Sequence, residues 1–167
     1  LPKHLDATKI IQTISPKKDA DCLTPENVGK VSLGLKPYVY PCSPKGILRL
    51  LDEYKIDVDG KHVVVVGRSN IVGKPVSQML LAKNATVTVC HSHTKILAEI
   101  TKTADILISA VGLCKLIHGG MVGRDSVVVD VGTTKVNGKS VGDVDFDSLL
   151  NPVSCMAPVP GGVGPMT

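Results

Sequence analysis

Four short apolar runs dominated by valine and isoleucine recur about 20 residues apart: 63–66, 87–89 with Thr86 and Thr88, 106–108, and 127–129. Runs without a polar face suit strands covered on both sides, the condition of a parallel sheet, and parallel neighbours require a crossover between them. One crossover is visible after the first run. Val72, Val76, Met79 and Leu80 fall on one face of a helix entered through Gly73 and Pro75. Ile96, Leu97 and Ile100 predict a second, weaker helix before the third run. This alternation predicts the α/β class, a parallel sheet and right-handed crossovers.

The flanks read differently. Ile47, Leu48, Leu50, Leu51 and Tyr54 repeat at helical spacing behind Ser43 and Pro44, which read as an N-cap and a first helical position. Residues 1–40 give a short helical stretch at 8–14, then an irregular sequence punctuated by Pro16, Pro25, Gly29, Gly34 and Pro37. Asn137-Gly138, centred in 135–141, predicts a β-hairpin with a type I′ turn.

Composition narrows the function. One Phe, three Tyr and no Trp make the core aliphatic and leave few rings on which bases could stack. A net charge of +4 from scattered lysines favours small anions and falls short of a nucleic-acid stripe. No run approaches the roughly 20 apolar residues of a membrane span, and no charged segment followed by an apolar one opens the sequence. A cytoplasmic protein with neither nucleic-acid nor membrane partners is expected. The five cysteines are odd in number and widely spaced, with no C-x-x-C pair, and read as free thiols.

Gly67-Arg68-Ser69-Asn70-Ile71-Val72-Gly73 lies between a buried strand and a helix start, where backbone N–H groups and the helix dipole can receive a phosphate. Ser69 stands where the usual dinucleotide fingerprint has its middle glycine, so position carries this reading more than the letters do. At the end of the next strand, Cys90-His91-Ser92-His93 offers no carboxylate for a ribose 2′-hydroxyl, and Arg68 can reach over from the loop. Both favour a 2′-phosphate, hence NADP. His91 and His93 lack a third ligand in the sequence, so no metal is expected. The segment 158–165, Pro-Val-Pro-Gly-Gly-Val-Gly-Pro, is stiff and poor in side chains, suited to facing a flat ligand. Asp19 and Asp21 fit a helix cap, a solvated surface or the edge of a heterocycle, and Cys42 and Ser43 fit a small core residue and a cap.

Taken together, Pro41-Cys42-Ser43-Pro44-Lys45-Gly46, the 67–75 loop, Val141-Gly142-Asp143-Val144 and the segment 158–167 closely resemble the methylenetetrahydrofolate dehydrogenase/cyclohydrolase family, over essentially the whole chain. The resemblance implies a Rossmann-type NADP-binding domain at 46–151, a remnant of a second α/β, folate-binding catalytic domain at 1–45, and a return segment at 152–167 carrying a folate-side loop. It implies oxidation of 5,10-methylenetetrahydrofolate to 5,10-methenyltetrahydrofolate, then hydrolysis to 10-formyltetrahydrofolate, in a cytoplasmic homodimer serving one-carbon metabolism and purine biosynthesis. Gly67, Arg68 and Ser69 inherit the cofactor phosphates, Ser92 a second contact to the 2′-phosphate, and Thr133, where the family usually has Ile, the nicotinamide side. Asp21 matches the acid that binds the pterin ring, with Cys22 in place of the usual following Gly. A pocket lined by Asp21, Ser43 and the Gly161 loop is implied, with Leu1, Pro2, Gly161 and Gly162 as substrate-loop residues. The family's Tyr-x-x-x-Lys acid/base motif has no match here: Tyr38, Tyr40 and Tyr54 are followed four residues on by Cys42, Pro44 and Val58. The chain alone is therefore expected to bind cofactor better than it turns over, and a non-catalytic dinucleotide-binding module is the rival reading.

Overall fold

The computed structural model describes residue 2, residues 4–149 and residues 153–167. The four apolar runs form β1 (His62–Val66), β2 (Thr86–Cys90), β3 (Ile106–Ser109) and β4 (Val127–Asp130). The hairpin consists of β5 (Thr134–Val136) and β6 (Lys139–Val141). Its turn residues Asn137 and Gly138 both have positive φ, 49° and 78°, as a type I′ turn requires. A further strand, β7 (Cys155–Ala157), completes a five-stranded sheet of order β2-β1-β3-β4-β7 in which every pair is parallel.

The helices are α1 (Ala7–Gln12), α2 (Pro25–Ser32), α3 (Cys42–Glu53), α4 (Gly73–Leu81) and α5 (Leu97–Lys102). Successive strand residues point to opposite faces, so the sheet has two cores. Val63, Val65, Ile106, Ile108, Val127 and Val129 pack with Ile47, Leu48 and Leu51 of α3 and Val76 and Leu80 of α4. Val64, Val66, Leu107 and Val128 pack on the other face with Ile117, Met121, Val122 and Val144, and with Leu97 and Ile100 of α5 at the margin. A chain with one Phe and no Trp thus fills both layers with branched aliphatics.

Three local readings are corrected. Ser43 is not the N-cap of α3: Pro41 holds that place in extended conformation, and the Lys45 N–H donates to its carbonyl at 3.0 Å. Pro44 lies inside the first turn, where a missing N–H costs no intrahelical bond. The stretch between Pro16 and Pro37 is not irregular throughout, because it contains α2, with Pro25 at its start. Gly34 at φ 68° then ends α2: its N–H donates to the Val31 carbonyl and that of Leu35 to the Lys30 carbonyl, the two bonds of a Schellman cap. Finally, β7 lies in the return segment ahead of the 158–165 loop, where no strand was predicted. Three residues are too few for a periodic signal, and pairing with Val127, Val128 and Val129 makes them a strand.

Candidate functional site

Because the five strands run the same way, the loops after Val66, Cys90, Ser109, Asp130 and Ala157 all leave one edge of the sheet. Strand order reverses beside β1, with β2 on one flank and β3 on the other. In open α/β sheets the crevice at such a switch point is where ligands bind.

The first wall of the crevice is the 67–73 loop. The Gly67 N–H donates to the Cys90 carbonyl at 2.8 Å, locking the ends of β1 and β2 together. Gly67 sits at φ 121°, and a Cβ there would overlap the Ala110 carbonyl oxygen of the β3 loop. Gly73, buried at the start of α4, is packed so closely that a Cβ would overlap the carbonyl of Gly67. Loop and helix therefore meet backbone to backbone, which only glycine allows. The Ser69 hydroxyl accepts the N–H groups of Val72 (3.2 Å) and Gly73 (3.4 Å), so the residue replacing the middle glycine holds the turn that leads into α4. Among the described residues, the N–H groups of Arg68, Ser69, Asn70 and Ile71 find no acceptor, and the Arg68 side chain is exposed. A cradle that a Cβ would fill, four free N–H donors and a guanidinium fit a phosphorylated dinucleotide.

Ser92 is exposed in the turn after β2, where Thr94 Oγ1 accepts the His91 N–H at 2.9 Å. His91 Nδ1 accepts the His93 N–H at 3.2 Å, so the two histidines shape this turn. Among the described residues, no three His, Cys, Asp or Glu side chains form a metal-sized group.

The opposite wall depends on two acids to which the sequence reading gave no role, Asp130 and Asp143, both fully buried. Asp143 accepts the Ser109 hydroxyl (3.0 Å) and the N–H groups of Val111 (2.7 Å) and Leu113 (2.8 Å). Asp130 accepts the N–H groups of Gly132 (3.1 Å), Asp143 (3.0 Å) and Val144 (2.9 Å). The arrangement is reciprocal: a Cβ on Gly132 would overlap the Asp143 carboxylate, and one on Gly142 the Asp130 carboxylate. Burial pushes the Asp130 carboxyl up, and the neighbouring Asp143 charge adds to this against the three N–H bonds. In the sequence each acid has a glycine close by, in Asp-Val-Gly at 130–132 and Gly-Asp-Val at 142–144, with nothing to show that the two will meet. Thr133 is exposed between this pair and the hairpin, and the Thr134 hydroxyl donates to the Gly112 carbonyl at 2.9 Å.

Ahead of α2, Asp21 is exposed on a turn organised by Asp19. Asp19 is 3% exposed and accepts the N–H groups of Leu23 (2.9 Å) and Thr24 (2.8 Å), the Thr24 hydroxyl (2.7 Å) and the Asn27 amide (3.0 Å). Burial pushes its carboxyl up, but these bonds outweigh it and bring it down to about 2. Cys22 takes φ 59°, the left-handed conformation natural to glycine, and burial with the charges of Asp19 and Asp21 pushes its thiol up to about 11. The Cys42 thiol approaches the Ala20 carbonyl (3.8 Å), and a hydrogen bond with Asp21 raises its pKa. Ser43 accepts the Thr167 hydroxyl at 3.3 Å. Asp21, Cys42, Ser43 and Thr167 thus form one group.

Gly161 and Gly162 line a hollow of about 120 Å³ with Leu51, Tyr54 and Ala157, and the carbonyl of the next residue, Val163, accepts the Thr167 hydroxyl at 3.2 Å. Pro2 is exposed before α1, and Leu1 lies outside the described residues. A larger hollow of about 340 Å³ between α2, α3 and α4 contains none of the candidate site residues.

Comparison with known proteins identifies the family and the fold. Residues 41–167 match the family model described as tetrahydrofolate dehydrogenase/cyclohydrolase, NAD(P)-binding domain. The bifunctional protein FolD of Agathobacter rectalis is 55% identical over 168 residues, covering 100% of this chain and 60% of that protein. The crystal structure of bifunctional FolD methylenetetrahydrofolate dehydrogenase/cyclohydrolase from Campylobacter jejuni superposes with a TM-score of 0.95 at 47% identity, covering 99% of this chain and 59% of that one. That of the Trypanosoma brucei enzyme, complexed with NADP cofactor and inhibitor, gives 0.92 at 41% identity, again over 99% and 59%. The chain spans about three fifths of the length of these relatives.

Proposed function

Since the chain belongs to the tetrahydrofolate dehydrogenase/cyclohydrolase family and carries its NAD(P)-binding domain, we propose that it supplies the cofactor site and one wall of the folate cleft in an NADP-dependent enzyme of one-carbon metabolism. The reaction is oxidation of 5,10-methylenetetrahydrofolate to the 5,10-methenyl form, followed by hydrolysis to 10-formyltetrahydrofolate. When bound, NADP supplies the hydride acceptor. The carrying observation is the loop after β1, whose free N–H donors at 68–71 and Gly67–Gly73 contact suit a pyrophosphate.

Arg68 and Ser92 receive the 2′-phosphate from the ends of adjacent strands, and no carboxylate stands there to repel it. Gly67 and Ser69 shape the phosphate loop, and Thr133 borders the nicotinamide side. Asp21 presents an exposed carboxylate to the N–H edge of the pterin ring, held in place by the Asp19 turn. Ser43, with Thr167, closes that end, while Pro2, Gly161 and Gly162 border the substrate. Residues 1–45 and 152–167 are the folate-side parts around the cofactor domain at 46–151. The hydrolytic step needs a proton carrier, and no lysine here follows a tyrosine by four residues, so that role is assigned to no residue of this sequence. Residence in the cytoplasm, homodimerisation through the cofactor domain and a supply of one-carbon units to purine biosynthesis belong to the same reading.

The test is methylenetetrahydrofolate-dependent NADPH formation by the full-length protein, beside binding of NADP+ and NAD+ to the protein and to Arg68→Ala. We expect turnover, with Arg68→Ala losing affinity for NADP+ by at least about tenfold and for NAD+ little, the worth of one charge-assisted contact. Equal losses for the two cofactors would refute the 2′-phosphate assignment. Cofactor binding without turnover would refute the enzymatic reading.

A further inference from the structure

The loops after β3 and β4 have no hydrogen-bonded ladder or helix of their own beyond the strand ends. The Ala110 and Val131 N–H groups donate to the Val66 and Ser109 carbonyls at the strand ends, and of the six hydrogen bonds that the two carboxylates accept, four come from the N–H groups of Val111, Leu113 and Gly132 and from the Ser109 hydroxyl. The remaining two tie Asp130 to the N–H groups of Asp143 and Val144, so one carboxylate fixes the segment that carries the other. The Thr134 hydroxyl on the Gly112 carbonyl links the two loops directly. No cation among the described residues pairs with either acid, although both are fully buried. Two buried carboxyl groups held by hydrogen bonds alone, with no paired cation among the described residues, are an expensive way to anchor an exposed hairpin. They suit loops whose backbone must be held against a ligand.

The position says which ligand. Arg68 and Ser92 stand on the β1–β2 side of the switch point, and the Asp pair on the β3–β4 side. A dinucleotide laid across the crevice with its 2′-phosphate at Arg68 must rest its other half on the β3–β4 side. We propose that Asp130 and Asp143 are positioning residues, whose reciprocal clasp fixes the loops at 110–113 and 131–134 as the backbone platform for the nicotinamide half of the cofactor. This inference rests on the NADP reading above.

Asp143→Asn tests it. The substitution keeps one acceptor oxygen but turns an amide N–H against the N–H of Leu113 or of Val111, releasing one anchor of the platform while leaving the 67–73 loop untouched. Hydrogen exchange of the full-length protein is followed with NADP+ and with 2′,5′-ADP, which lacks the nicotinamide half. In the wild type both ligands slow exchange at 67–73, and NADP+ alone adds protection at 110–113 and 131–134. In Asp143→Asn the protection at 67–73 persists for both ligands, while the NADP+-specific protection falls about fivefold, the worth of one hydrogen bond. NADP+-specific protection equal to wild type overturns the proposal.

If Asp143→Asn loses structure and protection everywhere, Ser109→Ala is read in its place. It removes only the hydroxyl donated to Asp143, and an unchanged NADP+-specific protection there overturns the proposal equally. Absence of protection at 67–73 in the wild type with either ligand overturns the cofactor reading itself, a result distinct from failure of the clasp.

Discussion

Asp19→Asn probes the turn that presents Asp21. The Asp19 Oδ2 gathers three donors, from the Thr24 N–H, the Thr24 hydroxyl and the Asn27 amide, while Oδ1 takes the Leu23 N–H. An asparagine oxygen in the Oδ2 place keeps the three donors but sets its own N–H against that of Leu23, 2.9 Å from the old acceptor. The carboxyl falls from an ordinary 3.8 to about 2 on folding. A depressed acid contributes stability that is complete above the unfolded pKa and is lost as pH falls through the folded one. The shift is worth about 2 kcal/mol at pH 7 and about half of that at pH 3. Equilibrium urea unfolding of wild type and Asp19→Asn at both pH values measures this directly. We expect the mutant to be less stable by about 2 kcal/mol at pH 7, with the gap narrowing to about 1 kcal/mol at pH 3. A gap independent of pH over this interval would refute the assignment of the stability to a charged carboxylate, whatever its size.

Two further outcomes follow from the packing. Gly73→Ala places a methyl group on the Gly67 carbonyl and must spread the phosphate loop from α4. A loss of about 1–3 kcal/mol in stability is expected, with weaker 2′,5′-ADP binding by calorimetry, and unchanged affinity would show that the Gly67–Gly73 contact does not shape the site. Cys22 is 3% exposed with its thiol pushed up to about 11, whereas Cys114 is exposed. Reaction with a disulfide reagent at pH 8 should therefore label Cys114 quickly and Cys22 only on unfolding, because thiolate and access are both required. Fast native labelling of Cys22, located by peptide mapping, would contradict its burial.

Much of the fold was legible in the sequence because its signals are local. A run of four valines at 63–66, a helical face at 72–80 and Asn137-Gly138 each report their own backbone through near neighbours. The place of the phosphate loop followed from the same information, since a glycine loop between a buried strand and a helix can point only off the strand's C-terminal end. Helix α2 was also announced, by Pro25 at its start and Gly34 at its end, but the prolines and glycines were read as marks of an irregular sequence and not as its two caps. The resemblance to a family added residue roles that no local pattern carries.

Tertiary structure alone decided the rest. Cys155-Met156-Ala157 has no strand pattern, and becomes one because β4 offers an open parallel edge at Val127, Val128 and Val129. Asp19 and Asp21 are indistinguishable two residues apart in the sequence, yet one is a buried organiser with four donors and the other is exposed. Asp130 and Asp143 are separated by a hairpin, and nothing within a few residues of either shows that each carboxylate will rest on the other's glycine. Local sequence fixes backbone preference, because that energy is spent between neighbours. The burial of a charge depends on donors brought from elsewhere in the chain, and only the folded sheet edge brings them together.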